Sequence, residues 1–450
     1  MGFTPQWMKV TDLFGNRIKT IDTKLNFSDF LQPQELVFES SGDNKKRRRV
    51  IIYDLPVMII NTPNGKPIVS KSVRTEGCSI MIVDDTGIIQ DLGTAGIRGR
   101  GNSSWLQPKK PYNIKLDKAH EILGLKPSKH WVLLANAYYD RTQLHNAVAY
   151  EMARLTDYKW VQNGVFVELI LNGKHQGLYY LCEKIGIEKG KIEIDEITPS
   201  DTIGDSLTGG YLLESCNSTS KDGIFLLTDY INKTGSKLDY ILSWELKFPD
   251  KNVQKQQIDY VRETLNHVES LIVNLDSLST GKYRDYFDIE SAINWWLIQE
   301  TTQNEEMSRS KNLFMYKERN GKFVVGPPWD FDAWTFGLIG TRRFFFTRNA
   351  FYIPYLVQDP VFLERAREKW SNYKEVWLNN IGKYIENQFE LIHRSAERNE
   401  KMWPDYHPLN LLDERTYSEH TKEMWNALRD QIIWMDERLR EGDFSDGVEN

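Results

Sequence analysis

The stretch VFVELILNGKHQGLYYL, Val165 to Leu181, decides how the fold is read. Two alternating apolar runs flank Asn172–Gly173. An Asn-Gly pair in that position is the strongest short hairpin signal, because both central residues of the turn need positive φ. LFMYKERNGKFVVG, Leu313 to Gly326, repeats the arrangement around Asn320–Gly321. RVIIYDLPVMIINT, Arg49 to Thr62, is apolar and β-branched and leads to a turn at Asn64–Gly65. PYNIKL alternates, with Tyr112, Ile114 and Leu116 on one side and Asn113 and Lys115 on the other. One helix interrupts these strands. Asp140 is the expected N-cap for RTQLHNAVAYEMARL, which sets Leu144, Val148 and Leu155 on one face. Glu151 shares that apolar face and needs a cationic or hydrogen-bonding partner.

Beyond about residue 253 the pattern turns helical, as in QKQQIDYVRETLNHVESLI (254–272) and HTKEMWNALRDQIIWMDERLRE (420–441). Strands first and helices later imply an α+β chain with two lobes. The expected division is an N-terminal extension over 1–50, a strand-rich lobe with an inserted helix over 51–250, and a mainly helical lobe over 251–450. The extension ends in the linker-like SSGDNKKRRR. The chain has 450 residues, more than one core of ~250–300 residues holds. Hydrophobic residues make up 40%, enough for a large interior.

A net charge of −6 argues against a general nucleic-acid binder. The run Lys45 to Arg49 is either solvated or a contact for an acidic partner. Three cysteines without a CxxC pair exclude a disulfide framework and a zinc knuckle. No apolar run approaches the ~18 residues of a membrane span, and the first residues lack the apolar core of a signal peptide.

Four constellations can carry chemistry. In GPPWDFDAWTFG (326–337), Asp330 and Asp332 flank Phe331. Two carboxylates so spaced either bind a hard cation such as Mg2+ or cap backbone amides in a turn. Lys115 on a strand and Glu151 on the next helix can form the pair that positions ATP phosphates in kinases; otherwise they are an exposed lysine and an unrelated acid. IRGRGNSSW (97–105) supplies arginine forks suited to phosphate oxygens, or is a structural corner. Asn304, Glu305 and Glu306 precede a strand that leads to the aspartate motif. There a carboxylate can take a hydroxyl proton and an amide can help hold metal, although such a triplet is also common on helix surfaces. His130, His145 and His175 are scattered and receive no role.

The order of these blocks resembles the spore coat protein H (CotH) kinase family. The carrying stretches are IRGRGNSSWLQPKKPYNIKL, HWVLLANAYYDRTQLHNAVAYEMARL, FVELILNGKHQGLYYLCEKI, GGYLLE, LKFPD and GPPWDFDAWTFG, within residues 50–440. The resemblance implies an atypical, bilobal protein-kinase-like fold related to the secretory-pathway casein kinases. It also implies transfer of phosphate from ATP, with Mg2+ or Mn2+, to Ser or Thr of a protein substrate. By it, Lys115 contacts ATP phosphates, Glu151 holds Lys115, Asp330 carries metal and Asp332 assists. Arg98, Arg100, Asn102 and Ser103 lie near the phosphates, and Glu183 lies near adenine. Where many members carry an aspartate as catalytic base, this chain reads Asn304-Glu305-Glu306-Met307, and Glu306 is the expected substitute. The competing reading is a weak or inactive pseudokinase that serves as an envelope or spore-coat assembly or adhesion protein. The family's bacterial, spore-coat and envelope associations imply an exported or surface location, with no export signal in this sequence.

Overall fold

The computed structural model describes residues 36–39, 47–50, 54–136, 139–216, 223–228, 242–309, 311–337, 345–347, 349–404 and 415–442. It is a mixed α+β structure, strand-rich at first and helical later. Strands β1 (Leu36–Glu39) and β2 (Arg47–Val50) pair antiparallel, so Arg47–Arg49 is strand backbone where a linker was expected. The remainder of 1–50 lies outside the described residues.

Seven strands then close a barrel in the order β3-β4-β5-β6-β7-β9-β8. They are β3 (Val57–Asn61), β4 (Thr75–Val83), β5 (Ile89–Gly99), β6 (Tyr112–Ile122), β7 (Leu125–Leu134), β8 (Gly164–Leu171) and β9 (Lys174–Glu183). The expected hairpin is β8–β9, turned at Asn172 (φ 50°) and Gly173 (φ 72°). Closure comes from parallel pairing of β3 with β8. A closed barrel, and not a plainly two-lobed kinase arrangement, is therefore what the strand-rich region forms. Its interior is filled by alternate residues, among them Ile80, Ile97, Tyr112, Ile114, Leu116, Trp131, Leu169 and Tyr179. Lys115 accordingly faces out and is exposed.

By contact density the chain divides into a unit of residues 1–143, 163–184 and 386–419, which holds the barrel, and a unit of residues 144–162, 185–385 and 420–450. In the barrel unit, IRGRGNSSW forms a corner between β5 and the short helix α1 (Ser103–Leu106). A Cβ on Gly99 would sit 2.3 Å from the Trp105 ring, and Gly101 is left-handed at φ 78°. Lys109 is fully buried and donates to the carbonyls of Ala135 (2.9 Å) and Leu178 (2.5 Å). Burial lowers its pKa to about 7.

The second unit carries helix α2 (His145–Arg154) and a five-stranded sheet in the order β11-β12-β10-β13-β14. These strands are β10 (Tyr211–Cys216), β11 (Phe225–Leu227), β12 (Ser243–Phe248), β13 (Phe314–Lys317) and β14 (Phe323–Val325). Its further helices include α3 (Lys255–Val273), α4 (Leu275–Ser279), α5 (Ile289–Thr301) and α6 (Ile353–Leu356). The long α7 (Pro360–Met402) and α8 (Tyr417–Glu441) follow in the chain. The N-cap expectation for Asp140 fails. Its carboxylate accepts from Thr142 Oγ1 at 2.7 Å and its carbonyl from Gln143 N. That closes a turn of its own, and α2 begins only at His145. Among the described residues no helix is long and apolar enough to cross a membrane.

The two glycines of GGYLLE have a packing reason. A Cβ on Gly209 would lie 2.1 Å from the backbone nitrogen of Arg319. Gly210, at φ 90°, would carry one 2.6 Å from the Asp195 carbonyl oxygen. Gly209→Ala is expected to destabilise the chain by about 1–3 kcal/mol through overpacking against backbone, read as a lower urea midpoint. An unchanged midpoint would show that the β13–β14 hairpin is not held at this distance.

Candidate active site

The aspartate motif is a loop pinned on several sides within one unit. Trp329 stacks on Tyr150 of α2, with centroids 5.9 Å apart, and the buried Phe331 meets the same ring edge-on. Phe331 N donates to Asn146 Oδ1 at 3.0 Å, and Gln162 Nε2 donates to the Pro328 carbonyl. Thr335 Oγ1 donates to the Phe331 carbonyl and lies 2.9 Å from His145 Nδ1. Two backbone bonds, Glu305 N to Trp334 O and Phe336 N to Thr302 O, tie the loop to the end of α5.

Within this frame Asp330 takes a left-handed φ of 69°. Asn312 Nδ2 donates to its carboxylate at 2.6 Å. Asn304 is completely buried. Its Nδ2 donates to Gln299 Oε1 (2.9 Å) and to the Asp330 carbonyl (3.3 Å), while its Oδ1 accepts from Glu306 N (3.2 Å). Gln303, Asn312, Trp334 and Phe336 also have φ between 53° and 56°. Asn and Asp visit this region readily, but aromatic residues there are outliers. Such strain persists only where surroundings enforce it, and it gathers at functional sites.

The structure thus brings Asp330, Asn304 and the backbone of Glu306 together, and adds Asn312, which the sequence reading overlooked. The overlooked signal is spacing: Asn312 follows the carboxylate Glu306 and stands two residues before β13, much as the metal-binding asparagine follows the catalytic aspartate in kinases. Asn304, expected to help with metal, instead braces two backbones. Glu306 and Asp332 are half-buried. Glu151 is ion-paired with Arg154 at 2.6 Å. In the barrel unit, Arg98 donates to the Ser72 carbonyl and Asn102 accepts from Lys71 at 3.0 Å. Arg100 is half-buried and Ser103 exposed. Glu183 is buried and accepts from Asn163 N at 2.9 Å.

Among the described residues no three His, Cys, Asp or Glu side chains group as metal ligands. A carboxylate and an amide at Asp330 and Asn312 offer oxygen donors in small number. That suits a hard cation that keeps waters and takes phosphate oxygens for the rest of its shell.

Glu300, one turn before Asn304 on α5, anchors the chain beyond the motif. Its buried carboxylate accepts from Phe346 N (2.6 Å), Thr347 N (2.9 Å), Thr347 Oγ1 and Trp296 Nε1 (3.2 Å). Burial outweighs these donors and pushes its pKa up to about 7 from 4.5. The folded state therefore holds this proton more tightly than the unfolded one. The resulting stabilisation is complete below pH 4.5 and is lost as pH rises to about 7. Relative to Glu300→Gln, the wild type should lose up to about 3 kcal/mol between pH 4.5 and 7 in denaturant titrations. A difference that does not change with pH would contradict this.

A family model described as CotH kinase protein matches residues 97–440, most of the chain. No curated protein matches it.

Proposed function

The chain belongs to the CotH kinase family, and on that premise we propose that it is an ATP- and divalent-metal-dependent protein kinase acting on Ser or Thr hydroxyls. The observation that supports this best is the convergence of Asn312 and Asn304 on Asp330, with the Glu306 backbone held to the same Asn304. Asp330 and Asn312 would hold Mg2+ or Mn2+. A cation there would neutralise charge on the nucleotide phosphates. Glu306 takes the proton of the acceptor hydroxyl as that oxygen bonds to the γ-phosphorus, and the bond to the β–γ bridging oxygen breaks to leave ADP. Asn304 acts through others: it fixes the loop that carries Glu306 against the loop that carries Asp330. Catalysis of this kind is mostly positioning and electrostatics.

The kinase-like assignment of the fold belongs to the same proposal, as do the family roles of the barrel residues. Arg98, Arg100, Asn102, Ser103 and Lys115 are assigned to phosphate oxygens, and Glu183 to the surroundings of adenine. Glu151, which is paired with Arg154, is assigned to hold Lys115. Asp332 assists Asp330.

One feature supports the pseudokinase reading. The acid at the base position is glutamate, one methylene longer than aspartate, and a misplacement of ~1 Å can cost about a hundredfold in rate. Radiolabelled γ-phosphate transfer to the chain itself and to a generic protein acceptor separates the two readings. Glu306→Gln is expected to lower transfer by at least about a hundredfold, and Asp330→Ala to abolish it. Mg-ATP at a hundredfold excess over its dissociation constant should stabilise all but the Asp330 variant by about 2.7 kcal/mol. Nucleotide stabilisation without any transfer would establish the pseudokinase. Transfer surviving Asp330→Ala would overturn the metal assignment.

A further inference from the structure

The five-stranded sheet has one fully buried face, formed by Tyr211, Leu213, Trp244, Leu246, Met315 and Val325. The other face is half-open and carries a charged triad. Lys247 Nζ lies 3.0 Å from Glu214 Oε2 and 3.1 Å from Glu245 Oε2. Glu214 and Glu245 stand directly opposite each other on β10 and β12. Like charges so placed repel, and Lys247, two residues along β12 on the same face, sits between them. Burial works against its charge, but the two glutamates outweigh it and raise its pKa. The triad stems from GGYLLE and LKFPD, two blocks to which the sequence reading gave no chemistry.

Its place in the sheet gives the triad a use. Across β10 from Glu245, Glu214 faces Phe314 on β13. The ladder continues past β13, with Ser215 N donating to the Leu313 carbonyl at 2.7 Å and Leu313 N to Ser215 Oγ at 3.1 Å. The next residue back is Asn312, whose amide is on Asp330. Neighbouring strands lie ~4.8 Å apart, so β12 runs about 10 Å from β13, and Lys247 is rooted about three residues along the ladder from the level of Asn312. Its side chain leans back towards Glu245 and so towards Asn312, which shortens that gap to the scale of a nucleotide's polyphosphate. An ammonium has three donors. Two are directed at the glutamates, and the third remains for an anionic oxygen.

We infer that Lys247, steadied by Glu214 and Glu245, binds phosphate oxygens of the nucleotide whose γ-phosphate reaches Asp330. This rests on the kinase reading above and adds a phosphate-binding lysine that the family resemblance did not single out. A surface ion pair with no ligand would contribute little and affect no binding.

The test is calorimetric titration of the full chain with Mg-ATP and, separately, with adenosine. Lys247→Met should weaken Mg-ATP about 10–100-fold, the worth of one charge-assisted hydrogen bond in a half-buried site, and leave adenosine binding as in wild type. Lys247→Arg should recover part of the loss. Because Lys247→Met leaves two carboxylates face to face, the triple variant E214Q/E245Q/K247M removes that repulsion and should still lose Mg-ATP. Wild-type affinity for Mg-ATP in both Met variants overturns the inference and leaves the kinase reading standing. Equal losses for ATP and adenosine also overturn it, since they mark a folding defect. A wild-type chain that binds no Mg-ATP overturns the kinase reading together with this inference.

Discussion

The candidate site depends on one buried amide. Asn304 has no access to solvent, and its side chain joins three things: the end of α5 through Gln299, the aspartate loop through the Asp330 carbonyl, and the following turn through Glu306 N. Losing a buried hydrogen bond of this kind costs roughly 1–3 kcal/mol. That penalty keeps the two loops in register. It also explains how the chain tolerates left-handed φ at Asp330, Trp334 and Phe336. The strained loop is over-determined by α2 from below, through Tyr150, Asn146 and His145, and by the α5 end from the side. A carboxylate held in this way is preorganised, so little reorganisation is required when charge arrives.

Much of the fold was legible because its signals are local. Asn172–Gly173 and Asn320–Gly321 turn hairpins where turn chemistry says they should, and Tyr112, Ile114 and Leu116 line the barrel as their alternation implies. The same alternation put Lys115 on the outside. Closure of the barrel was not legible. It rests on β3 pairing with β8, a contact between distant segments that no short pattern encodes. Asp140 misled because an aspartate two residues before a threonine can satisfy itself in a turn as readily as it caps a helix.

The site was legible in part for related reasons. Asp330 announces itself by motif. Asn312 does not, since a lone asparagine ahead of a strand reads as a turn residue until a carboxylate is seen beside it. Of the histidines that received no role, His145 is buried against Thr335 and Phe336, where it packs the aspartate loop. The triad around Lys247 was invisible because its members lie on two strands and meet only across the sheet. IRGRGNSSW shows that one stretch can answer to two demands. Gly99 and Gly101 are required by the Trp105 corner whatever the arginines do.

The central claim is that Asp330 and Asn312 form the metal end of a nucleotide site. Anomalous diffraction from crystals grown with Mn2+ and a non-hydrolysable ATP analogue tests it most directly. The predicted result is a manganese peak at the Asp330 carboxylate and the Asn312 amide oxygen, beside the nucleotide phosphates. Manganese and nucleotide bound elsewhere, with the Asn312–Asp330 hydrogen bond undisturbed, would contradict it.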